Sequence, residues 1–340
     1  MILVGRSLAA IPNHTSSFAR PIKGAGRPNV VQYTKLGRSN FTVSRICLGT
    51  NNFGSQLSDE QASKVIRKAV DCGINFIDTA NVYVGGRSEE IIGRSIKGDR
   101  NSVALATKVG YGMPGEPEGI NLSRENILAK ADDSLRRLQT DHVDLYYLHG
   151  FDPKVKLEET LGATNQLVKD GKVWQLGVSN FNADQLREAM KVCQENDFAK
   201  PMAIQPRYSL MARDAEKELF PLGAKLGLGI VTYSPLAGGF LTGKYSKGAE
   251  PPDGTRAAFN PNYWKRFNAD ENFTKLEKLS NIAKDSGLPL TTLAIAWILS
   301  KPTVTAPIVG ASRPEQVEDN CRILDAKVPA QVIARLDSLA

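Results

Sequence analysis

Four side chains of this 340-residue chain stand where they could move a proton and hold an oxygen: Asp78, Tyr83, Lys108 and His149. Asp78, Lys108 and His149 each end a short run of apolar or β-branched residues, and Tyr83 follows Asp78 on the next loop. A lysine and an aspartate ending neighbouring strands point into one mouth and can pair there. A phenol in the same mouth feels the ammonium, which is expected to favour phenolate and lower the tyrosine pKa from its usual value of about 10. A general acid needs such tuning if it is to release a proton near neutral pH. The histidine can donate a hydrogen bond to a substrate oxygen and polarise a carbonyl. One histidine and no cysteine is not a metal-ligand pattern, so no metal site is expected. Plainer readings exist for each residue alone: a Lys–Asp pair can be a structural ion pair, and a tyrosine at a strand end can be core or rim. Together, four such groups on three consecutive strands favour chemistry.

The elements that must position them alternate. From Val31 onward, short apolar runs feed helices of 3.6-residue periodicity. Strands are expected at Arg45–Gly49, Asn75–Asp78, Val103–Lys108, Val143–His149, Trp174–Ser179, Ala203–Pro206, Gly229–Tyr233 and Thr305–Val309. Ser58 should cap a helix at Gln61–Cys72, Ser123 one at Asn126–Leu138 and Asn182 one at Ala183–Cys193, with Gly73 and Gly171 at helix ends. Strands alternating with helices imply parallel pairing, and eight such units close a single α/β (β/α)8 TIM barrel. A doubly wound open sheet is the rival, but the first strand ends in Gly49-Thr50-Asn51-Asn52-Phe53-Gly54, a poor match to the dinucleotide turn G-x-G-x-x-G. Tyr33–Ser44 reads as an N-terminal β-hairpin turning at Gly37–Asn40, and Ser234–Ala269 as a long loop after strand seven.

Composition narrows the class. With 41% hydrophobic and 23% charged residues the chain suits one globular domain over residues 31–340. The four cysteines, Cys47, Cys72, Cys193 and Cys321, are scattered, which fits a reduced cytoplasmic setting. No apolar run reaches the 18 or so residues of a membrane span, so no membrane partner is expected. Residues 1–30 read as a disordered leader; the acid-free stretch before Asp59 leaves an organelle transit peptide as the alternative. That leader supplies four of the seven net positive charges, through Arg6, Arg20, Lys23 and Arg27. The remaining mild basicity suits an anionic cofactor rather than nucleic acid.

At this point the residues resemble the aldo-keto reductase family, from about Tyr33 to Asn320. Phe76 to Tyr83 (FIDTANVY) is similar to the family signature around its catalytic aspartate and tyrosine. Ala106 to Lys108 (ATK) resembles the lysine motif and Asp144 to His149 (DLYYLH) the histidine motif. Gly177 to Asn180 (GVSN), Tyr233 to Lys244 (YSPLAGGFLTGK) and Pro307 to Asn320 (PIVGASRPEQVEDN) complete six motifs in order. The resemblance implies hydride transfer from a reduced nicotinamide to an aldehyde or ketone. Tyr83 would be the proton donor, Lys108 paired with Asp78 would tune it, and His149 would hold the carbonyl oxygen.

Cofactor positions carry over with the motifs. The first loop, Gly49, Thr50 and Asn51, would be among the cofactor-binding residues. Ser179, Asn180 and Gln205 would bond its carboxamide, and Tyr233 would stack on its ring. Ser234, Leu236, Gly238 and Lys244 would follow the pyrophosphate. Gly310, Ser312, Arg313, Gln316, Asp319 and Asn320 would meet the adenosine end, where an arginine can clamp a 2′-phosphate. NADP(H) is therefore favoured over NAD(H), although many relatives carry their basic residue where Ser312 stands, one place before Arg313. Phe53 and Tyr111 are expected to wall an apolar substrate pocket, with Met113, Tyr263 and Trp264 as further candidates. A Schiff-base aldolase using Lys108 is disfavoured, because Asp78 would keep the amine charged. A cofactor-sensing regulatory subunit with little turnover, as some relatives are for membrane channels, is the alternative function.

Overall fold

The computed structural model describes residues 31–259 and 261–339. The leader expected at residues 1–30 lies outside the described residues. The chain opens with an antiparallel hairpin of β1 (Tyr33–Lys35) and β2 (Thr42–Ser44). The barrel begins with β3 (Cys47–Gly49), α1 (Asp59–Asp71), β4 (Phe76–Asp78), α2 (Arg87–Ser95) and β5 (Ala104–Val109). It continues through α3 (Arg124–Leu138), β6 (Val143–Leu148), α4 (Leu157–Lys169), β7 (Val173–Ser179), α5 (Ala183–Glu195) and β8 (Pro201–Gln205). After α6 (Leu219–Leu226) and β9 (Gly229–Thr232) come α7 (Arg256–Phe259), α8 (Pro261–Phe267), α9 (Asp270–Ser286) and α10 (Leu290–Leu299). Last are β10 (Ala306–Gly310), α11 (Pro314–Ile323) and α12 (Ala330–Asp337). Strands β3 to β10 pair in parallel and close into an eight-stranded barrel in the order β10-β3-β4-β5-β6-β7-β8-β9.

Local chemistry explains the element ends. Ser58 and Gln61 form a reciprocal capping box at the start of α1, Ser123 caps α3, and Asn182 with Gln185 forms a second box on α5. Strand bounds differ from the sequence-based expectation by one or two residues. Arg45, Asn75, Val103 and Thr305 precede their strands, and His149, Pro206 and Tyr233 lie just beyond theirs. Such edges carry one-sided pairing, so the pattern of residue types does not mark them. The segment Ser234–Ala269 is not a structureless loop. A 3₁₀ turn at Ala237–Thr242 and the helices α7 and α8 occupy much of it. Apolar side chains stabilise it there: Phe240 packs against Tyr245, Phe267 and Phe273, and Trp264 against Tyr245.

Two apolar layers hold the fold. The larger lies between the strands and the surrounding helices, and the smaller fills the barrel interior with Cys47, Phe76, Ala104, Ala106, Leu145, Tyr147, Ala203, Val231, Ala306 and Ile308. Leu36, Phe41 and Val43 of the hairpin belong to that inner layer, so the hairpin plugs the end where the strands begin. Its turn can come so close only because Gly37 has no side chain. Its φ is +58°, and a Cβ there would lie 2.5 Å from backbone atoms of Gly227 and Gly229.

Period-two alternation then dictates what reaches the open end. Phe76, Ala104, Ala106, Leu145, Ala203 and Val231 face inward, so Asp78, Lys108, Gln205 and Tyr233, each in step with them, face inward at the other end. The register sets them side by side: Gly310 opposes Gly49, Gly49 opposes Asp78, and Ser179 opposes Gln205. Lys108 opposes Tyr147, and Tyr147 opposes Gly177. The Tyr147 ring lies where a Cβ on Gly177 would be, 2.3 Å away, so this glycine makes room for the aromatic floor beneath the site.

Candidate functional site

Lys108 is the centre of the cluster at the strand C-terminal ends. Its Nζ, fully buried, donates to Asp78 Oδ1 at 2.5 Å, to the Thr79 carbonyl at 2.6 Å and to Tyr83 Oη at 3.3 Å. Three acceptors match the three N–H bonds of an ammonium, so the charge is buried yet satisfied. Asp78 accepts on both oxygens, the second from Gln205 Nε2 at 2.8 Å. Burial by itself lowers the Lys108 pKa, but Asp78 and Tyr83 outweigh it and the ammonium is held above its ordinary value. Burial pushes the Asp78 carboxyl up, while Lys108 and Gln205 pull it back towards the ionised form. The charged pair is the state this geometry supports, because every charged atom in it has a partner. A Schiff-base lysine would need the opposite, a neutral amine.

Tyr83 departs from the expectation that the ammonium lowers its pKa. Burial of the phenol is the larger effect and holds it above 10, with Lys108 opposing that shift and Asp78 reinforcing it. The physical reason is that phenolate loses more by leaving water than one ammonium at 3.3 Å returns. Tyr83 is thus kept protonated, with a cation poised beside the anion that proton loss would create. The backbone after it is unusual: Val84, Gly85 and Gly86 all have positive φ, at 50°, 62° and 90°.

His149 stands across the mouth, its ring 6.0 Å from that of Tyr83 and 4.9 Å from that of Tyr111, edge-on to both. Burial, helped by Lys108, holds its pKa well below 6.5, so the imidazole is neutral and carries one N–H. Its Nδ1 is buried with no hydrogen-bond partner.

Four of the residues expected to hold a cofactor, Ser179, Asn180, Gln205 and Tyr233, stand at or just beyond the C-terminal ends of β7, β8 and β9. Gln205 spends an N–H on Asp78 and keeps its oxygen. Asn180 donates to the His149 carbonyl at 2.8 Å and accepts from Tyr233 Oη at 2.8 Å, which leaves one N–H and one lone pair. Ser179 is buried, with its hydroxyl on the Gln205 carbonyl at 2.9 Å. Tyr233 is half-buried beside Asn180, offering a ring face. Asn180 and Ser234 have φ of 56° and 58°, which turns the chain sharply at both strand ends. This set of amide, oxygen and ring face fits a nicotinamide carboxamide.

Further round the rim, the Tyr263 hydroxyl bonds the Ala237 carbonyl and crosses Gly238, whose missing side chain gives it room. Leu236 is half-buried, and the exposed Lys244 Nζ lies over the Tyr245 ring at 5.4 Å. Gly310, at the end of β10, and Ser312 and Arg313, just before α11, are exposed, and a Cβ on Gly310 would meet nothing within 4 Å. Ser312 is tied to Gln316 Oε1 through its N–H at 2.7 Å and its hydroxyl at 3.0 Å. The Arg313 side chain is 64% exposed and reaches Glu315 only at 3.9 Å. Asp319 pairs with Arg322 at 2.7 Å, and Asn320 follows it half-buried.

Some expected residues are turned away. Phe53 is fully buried in the outer layer beside Leu57 and does not open onto the mouth. Thr50 is likewise buried, its hydroxyl donating to the Asp78 carbonyl at 2.9 Å, and Gly49 faces Ile308 at 2.7 Å from a notional Cβ. Asn51 is exposed, while Tyr111, 38% exposed, does stand at the mouth. Trp264 is held within the aromatic packing of the segment after β9. Sequence reasoning missed Arg256, whose guanidinium lies 5.5 Å over the Tyr263 ring and is felt at Tyr83. An arginine on a long polar segment gives no signal of where it folds. A shallow concavity lined by Gln32, Arg45, Leu299, Leu324 and Ile333 lies at the opposite, strand N-terminal end and touches none of these groups. Among the described residues no single helix is long and apolar enough to cross a membrane; α9 and α10 reach that length only as a pair bent by 94°.

Comparison with known proteins gives consistent results. The model of the aldo/keto reductase family matches residues 45–340. The chain is 38% identical over 301 residues to a probable voltage-gated potassium channel subunit beta of Arabidopsis thaliana, covering 87% of this chain and 92% of that protein. It is 39% identical over 301 residues to the protein of the same description in Oryza sativa subsp. japonica, with the same coverage. It is also 37% identical over 321 residues to the uncharacterized oxidoreductase YrpG of Bacillus subtilis (strain 168), covering 91% and 96%.

Proposed function

Because the chain belongs to the aldo/keto reductase family, we propose that it reduces an aldehyde or ketone to the alcohol, with Tyr83 as proton donor and NADP(H) preferred to NAD(H). The observation that carries this reading is the chain of contacts from Asp78 through Lys108 to the Tyr83 hydroxyl, 2.5 and 3.3 Å long. When bound, the reduced nicotinamide supplies the hydride. The protein's own residues do the rest.

His149, neutral, donates its N–H to the carbonyl oxygen and draws electron density towards it. Tyr83, protonated and half-buried, gives its proton to the same oxygen as negative charge develops there. Lys108 then steadies the phenolate, and Asp78 with Gln205 keeps the ammonium in place. Preorganised groups of this kind act strongly because they need not reorient during reaction, and the proton donor alone contributes about 10²- to 10⁴-fold. Tyr111 and the ring of Tyr83 present apolar surface to the carbon skeleton of a small carbonyl substrate. Ser179, Asn180 and Gln205 would hold the carboxamide and Tyr233 the ring. Ser234, Leu236, Gly238 and Lys244 would follow the pyrophosphate, and Gly310, Ser312, Arg313, Gln316, Asp319 and Asn320 the adenosine end. The exposed Arg313 guanidinium is the support for the NADP(H) preference.

Oxidation of NADPH by the purified protein across a panel of aldehydes, with Tyr83→Phe as control, tests the proposal. Turnover that the substitution abolishes supports it. The likeness to channel beta subunits favours a second reading, a cofactor-sensing partner of a channel. Tight NADPH binding without turnover of any carbonyl would put that reading first.

A further inference from the structure

Two residues of the first turn of α2, Ser88 and Glu89, are buried against the strands and loops that carry the tetrad, and neither has a role in the reaction described above. Glu89 there is fully buried. Its Oε1 accepts from Thr107 Oγ1 at 2.5 Å, and its Oε2 accepts from Arg137 Nε at 2.7 Å. Thr107 immediately precedes Lys108 and faces the outer side of β5, as alternation requires. Arg137 comes from the end of α3 with only 14% of its side chain exposed. Its stem lies flat on Gly86, where a Cβ would sit 2.8 Å from both Cδ and Nε. Gly86 is the last of the three positive-φ residues that follow Tyr83.

The neighbouring Ser88 completes the attachment. It is fully buried, and its hydroxyl lies 3.0 Å from the Thr50 carbonyl, from Thr50 Oγ1 and from Thr79 Oγ1. Thr50 in turn bonds the Asp78 carbonyl, and the Thr79 carbonyl is itself an acceptor of Lys108. One helical turn therefore grips the loop that carries Tyr83 and the strand that carries Lys108. Left-handed backbone at Val84 is costly for a β-branched residue and persists only where surrounding contacts fix it. A buried carboxylate held by one hydroxyl and one guanidinium is such a contact.

We propose that Glu89, clamped between Arg137 and Thr107, is a positioning residue that sets the distance between the Tyr83 hydroxyl and Lys108 Nζ. The proposal rests on the assignment of Tyr83 as proton donor. The charged and titratable groups that face Tyr83 are Lys108 on β5, Asp78 on β4, His149 after β6, Tyr233 after β9 and Arg256 on α7. Of these only Lys108 is within hydrogen-bond reach of the phenol, so loosening the loop removes the ammonium first. The phenol then becomes harder to ionise.

The test is Glu89→Gln, compared with the unchanged protein in three measurements: ultraviolet difference titration of the Tyr83 phenol against Tyr83→Phe, the pH profile of carbonyl reduction, and NADPH binding. The phenol midpoint and the alkaline limb of the profile are expected to move up together. Turnover number should fall by roughly ten- to a hundredfold, the size of effect a displacement of about 1 Å produces, with NADPH affinity unchanged within about twofold. Should Glu89→Gln fail to fold, Thr107→Val and Arg137→Lys each break one arm of the clamp and are read the same way. A lowered melting temperature with phenol midpoint, pH profile and turnover number all unchanged would overturn the proposal and leave Glu89 a structural residue. Loss of turnover with an unmoved phenol would do the same. If instead Tyr83→Phe itself retains turnover, the assignment of the donor fails, and the phenol titration still decides whether Glu89 sets its surroundings.

Discussion

Gln205 Nε2 donates to Asp78 Oδ2 at 2.8 Å, although 127 positions separate the two residues in the chain. The contact completes the carboxylate, whose other oxygen takes Lys108. It also places a residue of the proposed carboxamide seat in direct touch with the ion pair that supports the proton donor. The floor of the site is therefore one connected polar network inside an apolar barrel.

That network makes Lys108 and Asp78 interdependent for stability. Lys108→Met should destabilise the fold by about 3–5 kcal/mol, because it leaves a buried carboxylate without its cation. Lys108→Met combined with Asp78→Leu should recover most of that loss while remaining without turnover. Denaturant unfolding of both proteins checks this. Equal destabilisation in the single and double variants would mean that the pair is not ionised in the folded state.

His149 gives the pH dependence a definite sign. Its folded-state pKa lies well below 6.5, so between that value and 6.5 the unfolded chain binds a proton that the folded chain does not. Stability from this group is fully present above pH 6.5 and is lost as pH falls, by about 1.4 kcal/mol per pH unit at most. Unfolding free energies between pH 5 and 7 should therefore fall less steeply in His149→Gln than in the parent. Identical slopes would show that the histidine is solvated rather than buried neutral.

Gly238 has φ of +60°, and a Cβ there would lie 2.1 Å from the Tyr263 hydroxyl. Gly238→Ala should cost about 1–2 kcal/mol of local strain and displace the strap from Ala237 to Thr242. Since the strap holds Phe240 and Leu241 in the main core and carries the proposed pyrophosphate contacts, both global stability and NADPH binding should fall. Fluorescence titration and thermal unfolding on the same sample separate the two. Pairing it with Tyr263→Ala should relieve the clash but not the backbone strain.

Arg313 tests the cofactor preference. Its side chain is exposed and only loosely paired with Glu315, so its contribution belongs at the lower end for a charged hydrogen bond. Arg313→Ala should weaken NADPH about tenfold and leave NADH unchanged, measured by titration of both cofactors. An equal change for both would remove the 2′-phosphate role.

The barrel and its tetrad were legible in the sequence because both follow from short-range rules. Eight apolar runs separated by capped helices announce parallel pairing, and residues at step two from Phe76, Ala106 and Ala203 had to reach the open end. The surroundings of other residues were not legible, for a different cause. Phe53 and Thr50 lie on the first barrel loop, where no periodicity says which side chains turn inward. Tyr263 and Arg256 lie on a segment whose course depends on aromatic packing with Phe240 and Phe267, partners that the local sequence does not specify.

The sequence by itself determined the fold class, the strand-end residues and the family, because side-chain alternation and motif order are properties of the linear chain. Only the tertiary structure decided the electrostatics. Whether Tyr83 is pushed up or down depends on how much water burial removes compared with what Lys108 gives back at 3.3 Å. The clamp of Glu89 on Thr107 and Arg137 spans 18 and 48 positions of chain. Desolvation and contacts of that range arise from closure of the barrel and from the packing of α2 against α3, and neither leaves a mark in any short window of residues.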